Sequence, residues 1–334
     1  MSRNVRVAGS LQGKGESVGL HRFALFTAGS TAVLIFIGGL VTSTESGLAV
    51  PDWPTTYGWN MFTFPFSKWV GGIFYEHGHR VAASFVGFLT TILMIWLFLK
   101  EERCWVRWLG AAAFLAVLGQ GILGGLTVLY LLPTPISMAH ACLAQTFFCL
   151  TVALALFTSP AWKRGLPVVR ERHASRRLPW LCAMTTGSIY LQLLLGALMR
   201  HTDSGLAIPD FPLAFGKILP PLTSANVVIH FLHRLGAVLV TVMVVWTFLR
   251  VRRFYSEHPL LARPSAVLFG LLWAQLALGA FTVWTAKSVM ITTMHVATGA
   301  LVLAFSVLLT LLAFAMVRER GPAAVYPIRR AAWQ

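Results

Sequence analysis

Eight long stretches of this chain are almost free of charge, which restricts the folds that it can adopt. Five of them contain no Asp, Glu, Lys or Arg: residues 23–44, 81–99, 178–199, 265–286 and 288–317. A longer uncharged run is divided by Pro133 and Pro135 into two, and residues 226–249 are apolar except at a His-Arg pair. Each stretch is long enough for the roughly 20 residues that cross a bilayer as a helix. We therefore predict an all-α integral membrane protein with eight transmembrane helices.

Charge is distributed unevenly over the segments between these stretches. The net charge is +16, and most of the 27 Lys and Arg lie in five segments that an eight-helix topology places on one side: the N-terminus, residues 100–107, 163–177 and 250–263, and the C-terminal tail. This asymmetry predicts that both termini are cytoplasmic. It favours contact with anionic lipid heads over nucleic acid. Because the N-terminus resembles neither a signal peptide nor a mitochondrial transit peptide, we expect a bacterial plasma membrane.

The chain contains an internal repeat. Residues 44–54 read TESGLAVPDWP, and residues 202–212 read TDSGLAIPDFP. Because each half has four spans, the repeats should insert in the same sense, as two tandem four-helix bundles related by an axis along the membrane normal. The expected segments are an N-terminal cytoplasmic segment (1–22), a first bundle (23–158), a basic linker (159–177), a second bundle (178–317) and a cytoplasmic tail (318–334).

Two histidines recur in each half. His79 and His233 each precede an arginine, and His140 and His295 occupy matched places in the last span of each half. All four are expected one to two turns from the outer, periplasmic end of a helix. A single such histidine is usually a hydrogen-bonded structural residue. Four in matched pairs favour axial ligands on opposite faces of a haem, one per half. Zinc would need three or four clustered ligands, which the sequence does not place together.

The neighbours of these histidines are further candidates. Arg80 and Arg234 match the carboxylates of haem propionates, although they could equally be interfacial anchors. Glu76 lies three residues before His79 on the same helical face, and the second half has His230 there. A carboxylate at this depth is a catalytic candidate, or a structural partner of Arg80. Only the first half has it, so chemistry is expected there and an electron-transferring haem in the second half.

The two long outer loops are rich in aromatic residues. These are Trp53, Tyr57, Trp59, Phe62, Phe64, Phe66, Trp69, Phe211 and Phe215. They can form an interfacial belt or a lid over a macrocycle. Asp52 and Asp210, each after a proline, are interpreted as turn residues. His77 and His201 are expected at the outer surface.

Together, the eight spans, the SGLAVPDWP and SGLAIPDFP loops, the E-x-x-H-R sequence from Glu76 to Arg80, and the pair His140 and His295 resemble the haem A synthase family. The resemblance covers about residues 20–317. It implies an enzyme that oxidises a methyl group of haem O to a formyl group, giving haem A for terminal oxidases. By position, His79 and His140 would hold the substrate haem, His233 and His295 would ligate haem b, and Glu76 would assist catalysis.

The same resemblance implies partners. Haem O is the substrate, the bilayer is the medium, and a haem O synthase, terminal oxidase assembly proteins and an unidentified electron donor are candidate contacts; a homo-oligomer stays open. Some members carry a cysteine pair in an outer loop, and this chain has none there. The competing hypothesis is a non-catalytic di-haem cytochrome that passes electrons from a quinol to an outer acceptor. Glu76 favours the enzyme.

Overall fold

The computed structural model describes residues 10–169 and 177–317, and all long elements in these ranges are α-helices. Their bounds are α1 Ser10–Ser43, α2 Gly72–Lys100, α3 Cys104–Leu129, α4 Thr134–Thr158, α5 Pro160–Lys163, α6 Arg177–His201, α7 Ala225–Phe254, α8 Pro259–Trp284 and α9 Val289–Met316. The described residues form isolated β-bridges but no strand. Eight helices, all except the short α5, are long and apolar enough to cross a membrane. The predicted all-helical class and the count of eight spans are confirmed.

The predicted segment boundaries stay a prediction, and some helix bounds differ from them. α1 begins at Ser10 and its apolar span at Val18, before residue 23 where the first bundle was expected to start. The predicted linker contains the single turn α5, whose N-cap Ser159 accepts a hydrogen bond from the Trp162 amide. The rest of that linker from 170 to 176, the first nine residues and the tail from 318 lie outside the described residues.

Local sequence explains where helices begin and turn. Pro135 and Pro259 lie in the first turns of α4 and α8, where no backbone donor is needed. The turn after α3 places Leu131 and Leu132 at positive φ, and the matched turn after α8 places Ala286 and Lys287 there. The amide of the second residue donates back to a helix carbonyl in both turns, at 2.7 and 2.8 Å. The repeat therefore extends to backbone conformation.

Each half is a ring of four helices. In the first half, α1 packs on α2, α2 on α3, α3 on α4 and α4 on α1; in the second, α6, α7, α8 and α9 pack in the same cycle. Consequently α2 lies across the ring from α4, and α7 lies across from α9. The halves meet where α1 and α4 pack on α9 and where α4 packs on α6. Exchanging the halves leaves this set of contacts unchanged, as a two-fold relation requires.

Three apolar clusters hold the rings together. One lies inside the first ring around Leu93, Leu97 and Leu154, and another lies inside the second around Leu268, Leu272 and Leu303. The third joins Phe148 of α4 to Ala300 and Ala304 of α9. α9 is the most buried span, at 56 %, and α4 follows at 44 %. These two helices form the centre of the protein, and the other six face outward.

The ends of the bundle differ in character. Residues 44–71 and 202–224 form the long connections at one end, here named the loop end. Residues 101–103, 159–169 and 255–258 connect helices at the opposite end, here named the basic end. Glu101 lies there with 5 % of its surface exposed and binds Arg103 Nε at 2.8 Å and Lys163 Nζ at 3.1 Å. Burial alone would raise the pKa of Glu101, but these cations and the Arg103 amide lower it to about 2.

Candidate functional site

The two loops that carry the repeated sequence have the same internal hydrogen bonds. Asp52 Oδ1 accepts from the Tyr57 amide at 2.7 Å, and Asp210 Oδ1 accepts from the Phe215 amide at 2.7 Å. Their second oxygens accept from the amides of the glycines that follow, Gly58 and Gly216, which have φ of 76° and 70°. The predicted turn role of both aspartates is confirmed.

These hydrogen bonds also fix the charge state of the loop carboxyls. Partial burial alone would raise the pKa of Asp52, but bonds from Gly58, Thr55 and Tyr57 hold it below its ordinary value. Bonds from the amides of Gly216 and Phe215 lower the pKa of Asp210. Each loop therefore keeps one ionised carboxylate as the centre of its turn.

Arg80 and Arg234 fasten these loops to α2 and α7. Arg80 Nη1 donates to the Asp52 and Thr55 carbonyls at 2.8 and 3.1 Å, and its Nη2 donates to the Val50 carbonyl at 2.9 Å. Arg234 repeats the pattern with the carbonyls of Leu213, Ile208 and Asp210 at 2.8, 3.2 and 2.6 Å. The donors of both arginines already contact loop carbonyls. Their role in binding propionates stays a prediction.

Glu76 and His230 perform the same structural task with different chemistry. Glu76 is 3 % exposed, and its Oε2 accepts from the Val50 amide at 2.7 Å. In the second half the matched Ile208 amide donates to His230 Nδ1 at 3.3 Å. Glu76 also forms a 2.6 Å ion pair with Arg80. The first half thus has a buried carboxylate where the second half has an imidazole.

The four repeated histidines project from helices that face each other across the two rings. His79 on α2 and His140 on α4 are within electrostatic range of each other, as are His233 on α7 and His295 on α9. Each imidazole lies against a glycine of the preceding long helix. A methyl group added to the glycine would approach the imidazole Cε1 to 3.1 Å for Gly38 and His79, 3.3 Å for Gly124 and His140, 3.1 Å for Gly196 and His233, and 3.1 Å for Gly279 and His295. At these four places an added methyl group would require the imidazole to shift by a few tenths of an ångström.

This arrangement fits a haem in each ring. Two imidazoles on opposite helices match axial ligation of a planar macrocycle. The Nδ1 atoms of His79, His140 and His295 are buried without a protein partner, which is costly for a purely structural histidine. No group of three His, Cys, Asp or Glu that could hold a metal ion occurs in residues 10–169 and 177–317. The geometry therefore favours two-ligand haem sites over a zinc-type centre.

A glutamine four residues before the glycine supports three of these histidines. Gln120 Nε2 donates to the His140 carbonyl at 2.9 Å, and Gln192 Nε2 donates to the His233 carbonyl at 2.8 Å and lies 3.1 Å from its Nδ1. Gln275 Nε2 lies 3.5 Å from His295 Nε2. For His79 the matched residue is Leu34. Gln120 and Gln275 occupy matched positions of the two halves, each four residues before a glycine. Gln192 was missed, and its Gln-x3-Gly spacing is the signal that could have found it.

The first loop lies over the first ring. The Trp53 indole packs against α3 at Gly125, where a methyl group would lie 2.5 Å from the ring. Gly125 is next to Gly124, which contacts His140. In the second half the matched residues are Phe211 and Ala280, and the Phe211 carbonyl accepts from Trp284 Nε1 at 3.2 Å. A larger ring beside a glycine is thus replaced by a smaller ring beside an alanine, and the contact favours the lid interpretation for Trp53.

One histidine prediction was wrong. His77 was expected at the outer surface, but it is fully buried. Its Nδ1 bonds to Thr56 Oγ1 at 3.0 Å, and its ring lies beneath Phe64 and Trp69 with centroids 5.0 and 4.5 Å away. The sequence placed it correctly at the start of α2, but only the folded loop covers it.

Comparison with known proteins places these features in a family. Residues 21–307 match the COX15-CtaA family, described as cytochrome oxidase assembly protein. The chain is 29% identical over 287 residues to a protein named heme A synthase from Halalkalibacterium halodurans, covering 83% of this chain and 92% of that one. It is 32% identical over 263 residues to a heme A synthase from Symbiobacterium thermophilum, covering 75% and 82%. A third heme A synthase, from Shouchella clausii, is 26% identical over 276 residues, covering 80% and 87%.

Proposed function

Because the chain belongs to the COX15-CtaA family of cytochrome oxidase assembly proteins, which includes the haem A synthases, we propose that it oxidises a ring methyl group of haem O to a formyl group. The product is haem A for terminal oxidases. The observation that carries the proposal is the pair of imidazoles across each ring, each packed closely against a glycine of the preceding long helix. The first ring takes haem O as substrate, and the second ring holds haem b.

His79 and His140 bind the substrate iron from opposite helices and fix the macrocycle between α2 and α4. His233 and His295 hold the second haem in the same way. Bound haem would mediate the electron transfer that oxidation of an unactivated methyl group requires. The step removes four electrons and four protons from the methyl carbon and water, so an external oxidant must take up the electrons. The Trp53 indole of the first loop packs against Gly125 of α3, and we expect this contact to help to exclude water from the first ring.

Glu76 is the proposed proton-handling group of the first ring. It is buried, it lies one turn from His79, and only the first half has a carboxylate there. Its Oε1 bonds to Arg80 Nη2 and its Oε2 to the Val50 amide. Those bonds hold the carboxylate in one orientation beside the pocket. A group in this position can accept protons released as C–H bonds are oxidised, and proton transfer of this kind typically contributes a factor of 10²–10⁴.

The competing hypothesis, a non-catalytic di-haem cytochrome, also has a specific observation in its favour. His230 anchors its loop through the same backbone amide position as Glu76. Glu76 can therefore be explained as a loop anchor alone. Under that hypothesis both haems are haem b, and electrons pass from a quinol through both rings.

The decisive experiment expresses the chain beside a haem O synthase and analyses the extracted haems. We expect haem A, and a correctly folded protein that yields none would contradict the proposed oxidation. Two variants test Glu76. Glu76→Gln retains an acceptor for the Val50 amide, and Glu76→His installs the residue that the second half uses. Both should bind haem but lose conversion by at least about 100-fold. His230→Gln is the matched control and should leave conversion unchanged.

The proposal also includes an orientation of the protein in the membrane. We expect a multi-pass protein of a bacterial plasma membrane, with both termini cytoplasmic and the haem sites near the periplasmic side, so that the loop end faces outward. The basic segments at the opposite end support this orientation. Haem O synthase and terminal oxidase assembly proteins are the proposed suppliers and recipients, with a separate electron donor.

A further inference from the structure

A single face of α6 differs in polarity from the matched face of α1. On α6, Gly196 cradles His233, Gln192 lies one turn before it and Arg200 one turn after it, towards the loop end. On α1, Gly38 cradles His79, and the residues one turn before and after are Leu34 and Thr42. Residues four apart share a helical face. The second ring therefore has an amide and a cation beside its haem site, where the first ring has a leucine and a threonine.

Arg200 is a cation without a carboxylate partner. It is half-buried at the loop end, and its one hydrogen bond within the described ranges runs from Nη2 to Ser43 Oγ at 3.2 Å. No Asp or Glu of residues 10–169 and 177–317 pairs with it, and Asp203 acts on it only at longer range. Arg80 and Arg234, in contrast, donate to three loop carbonyls each. The other donors of the Arg200 guanidinium have no protein acceptor within the described ranges, which leaves them available to an anion.

A buried hydroxyl without a partner lies in the first turn of α9, at the same end of the second ring as Arg200. Ser43 Oγ, which binds Arg200, also accepts from Thr293 Oγ1 at 3.0 Å. The preceding residue, Thr292, is 7 % exposed, and its hydroxyl has no partner. Thr292 lies one turn before His295 on the helical face that also carries Gly299, and a side chain at Gly299 would meet Gln275 and Leu193 inside the second ring. Thr292 therefore faces the interior of that ring.

We propose that Arg200 and the Thr292 hydroxyl bind a carboxylate of the haem in the second ring. This contact makes that haem resident, whereas the haem of the first ring can leave. The inference rests on the proposed function for the identity of the two ligands. Arg presents paired donors that fit a carboxylate, and a charged hydrogen bond is roughly twice as strong as a neutral one. The first ring has a matched buried hydroxyl without a partner, Ser137, but Thr42 supplies no cation.

The α1–α2 seam supports the second half of this inference. An apolar cleft of about 400 Å³ opens between the two helices, and Leu34, Ile37, Ala82 and Phe85 are among its lining residues. In the second half the residue matched to Ala82 is Gly236, and the Gln192 side chain occupies the space that a side chain there would need. At this position a side chain fills the space between α6 and α7, whereas a cleft lies between α1 and α2. An enzyme must release its product but retain its redox partner, and the two seams match these needs.

The test measures haem transfer from the purified full-length protein to excess apomyoglobin, which is followed optically and does not depend on conversion. The wild type should lose haem in two phases, a fast one from the first ring and a slow one from the second. Arg200→Thr, which copies α1, should speed the slow phase at least tenfold and leave the fast phase unchanged. Arg252→Thr removes the same charge from the basic end and should change neither phase.

The reverse variant keeps the inference testable if Arg200→Thr fails to fold. Thr42→Arg should slow the fast phase, because it supplies the missing cation beside Ser137. An unchanged slow phase in folded Arg200→Thr, or an unchanged fast phase in Thr42→Arg, would overturn the proposal. Failure of the proposed function would appear separately, as absence of haem A from cells in which both transfer phases are normal.

Discussion

The two halves share one scaffold and differ at groups beside the four repeated histidines. Both have the same aspartate-centred loop, the same arginine clasp and the same four-helix ring with a histidine against each glycine. The differences are Glu76 against His230 at the loop anchor, and Leu34 and Thr42 against Gln192 and Arg200 beside the glycine. Neither difference alters the scaffold. They add a carboxylate to the first ring and an amide and a cation to the second.

This contrast shows how a duplicated fold can separate two roles for one kind of ligand. In the proposed function histidine fixes the macrocycle and glycine makes room for the imidazole, and both halves have these residues. A residue that anchors the loop can be either a carboxylate or an imidazole, because each accepts a hydrogen bond from the same backbone amide. An imidazole in place of Glu76 would therefore change the charge beside the first ring and keep the hydrogen bond that anchors its loop.

The largest expected effect on haem binding comes from removing one imidazole from each ring. His233→Ala should lower haem affinity in the second ring by more than about 100-fold, since axial ligation supplies most of the specific attachment. His79→Ala should do the same in the first ring. Pigment analysis should then show loss of haem b for His233→Ala and of the haem O and haem A fraction for His79→Ala. Identical losses from both variants would mean that the halves do not hold different haems.

The two arginine clasps should differ in strength because only one of them neutralises a carboxylate. Arg80→Ala removes three carbonyl contacts and leaves Glu76 buried without its cation, which costs about 3–5 kcal/mol. Arg234→Ala removes contacts to neutral groups only, three carbonyls and the Phe211 ring, and should cost about 1–3 kcal/mol. Chemical unfolding in detergent measures both. Equal losses would show that the ion pair with Glu76 adds nothing to the first loop.

Filling the glycine cradles should affect both rings equally. Gly38→Ala and Gly196→Ala bring a methyl group to 3.1 Å from His79 and His233, and overpacking of this kind costs about 1–3 kcal/mol. The displaced ring should weaken haem binding, visible as a smaller low-spin Soret band. Gly29→Ala and Gly187→Ala are the controls, because nothing lies within 4 Å of an added methyl group there. A normal Soret band in Gly38→Ala would show that the space beside Gly38 is not required for haem binding.

The smallest effect concerns the basic end, which lies far from both haem sites. Because the pKa of Glu101 is lowered from 4.5 to about 2, its contribution to stability is complete above pH 4.5 and is lost as the pH falls towards 2. Glu101→Gln should therefore lower the melting temperature at pH 7 and flatten the acid decline of the wild type between those values. Haem content at pH 7 should not change. If the acid profile of Glu101→Gln matches that of the wild type, Glu101 does not contribute to stability.

Much of the fold followed from residue patterns alone. Uncharged runs of span length predict helices because a backbone in lipid satisfies its hydrogen bonds internally, and eight such helices are found. The positions of His79, His140, His233 and His295 on facing helices followed from their repetition. The turn role of Asp52 and Asp210 followed from the proline before each of them.

The remaining features depend on contacts between distant segments, which no local pattern encodes. His77 is buried because residues 56, 64 and 69 fold over it, and a helix start gives no sign of that cover. Arg80 has the same sequence context as a propionate ligand or a membrane anchor, and only the folded loop supplies carbonyls for it. Arg200 belongs to the second half but bonds to Ser43 of the first. The sequence by itself determined the helices, their repetition and the four histidines. The tertiary structure decided which side chains have partners and which are left for a ligand, because that depends on the packing of one ring against the other.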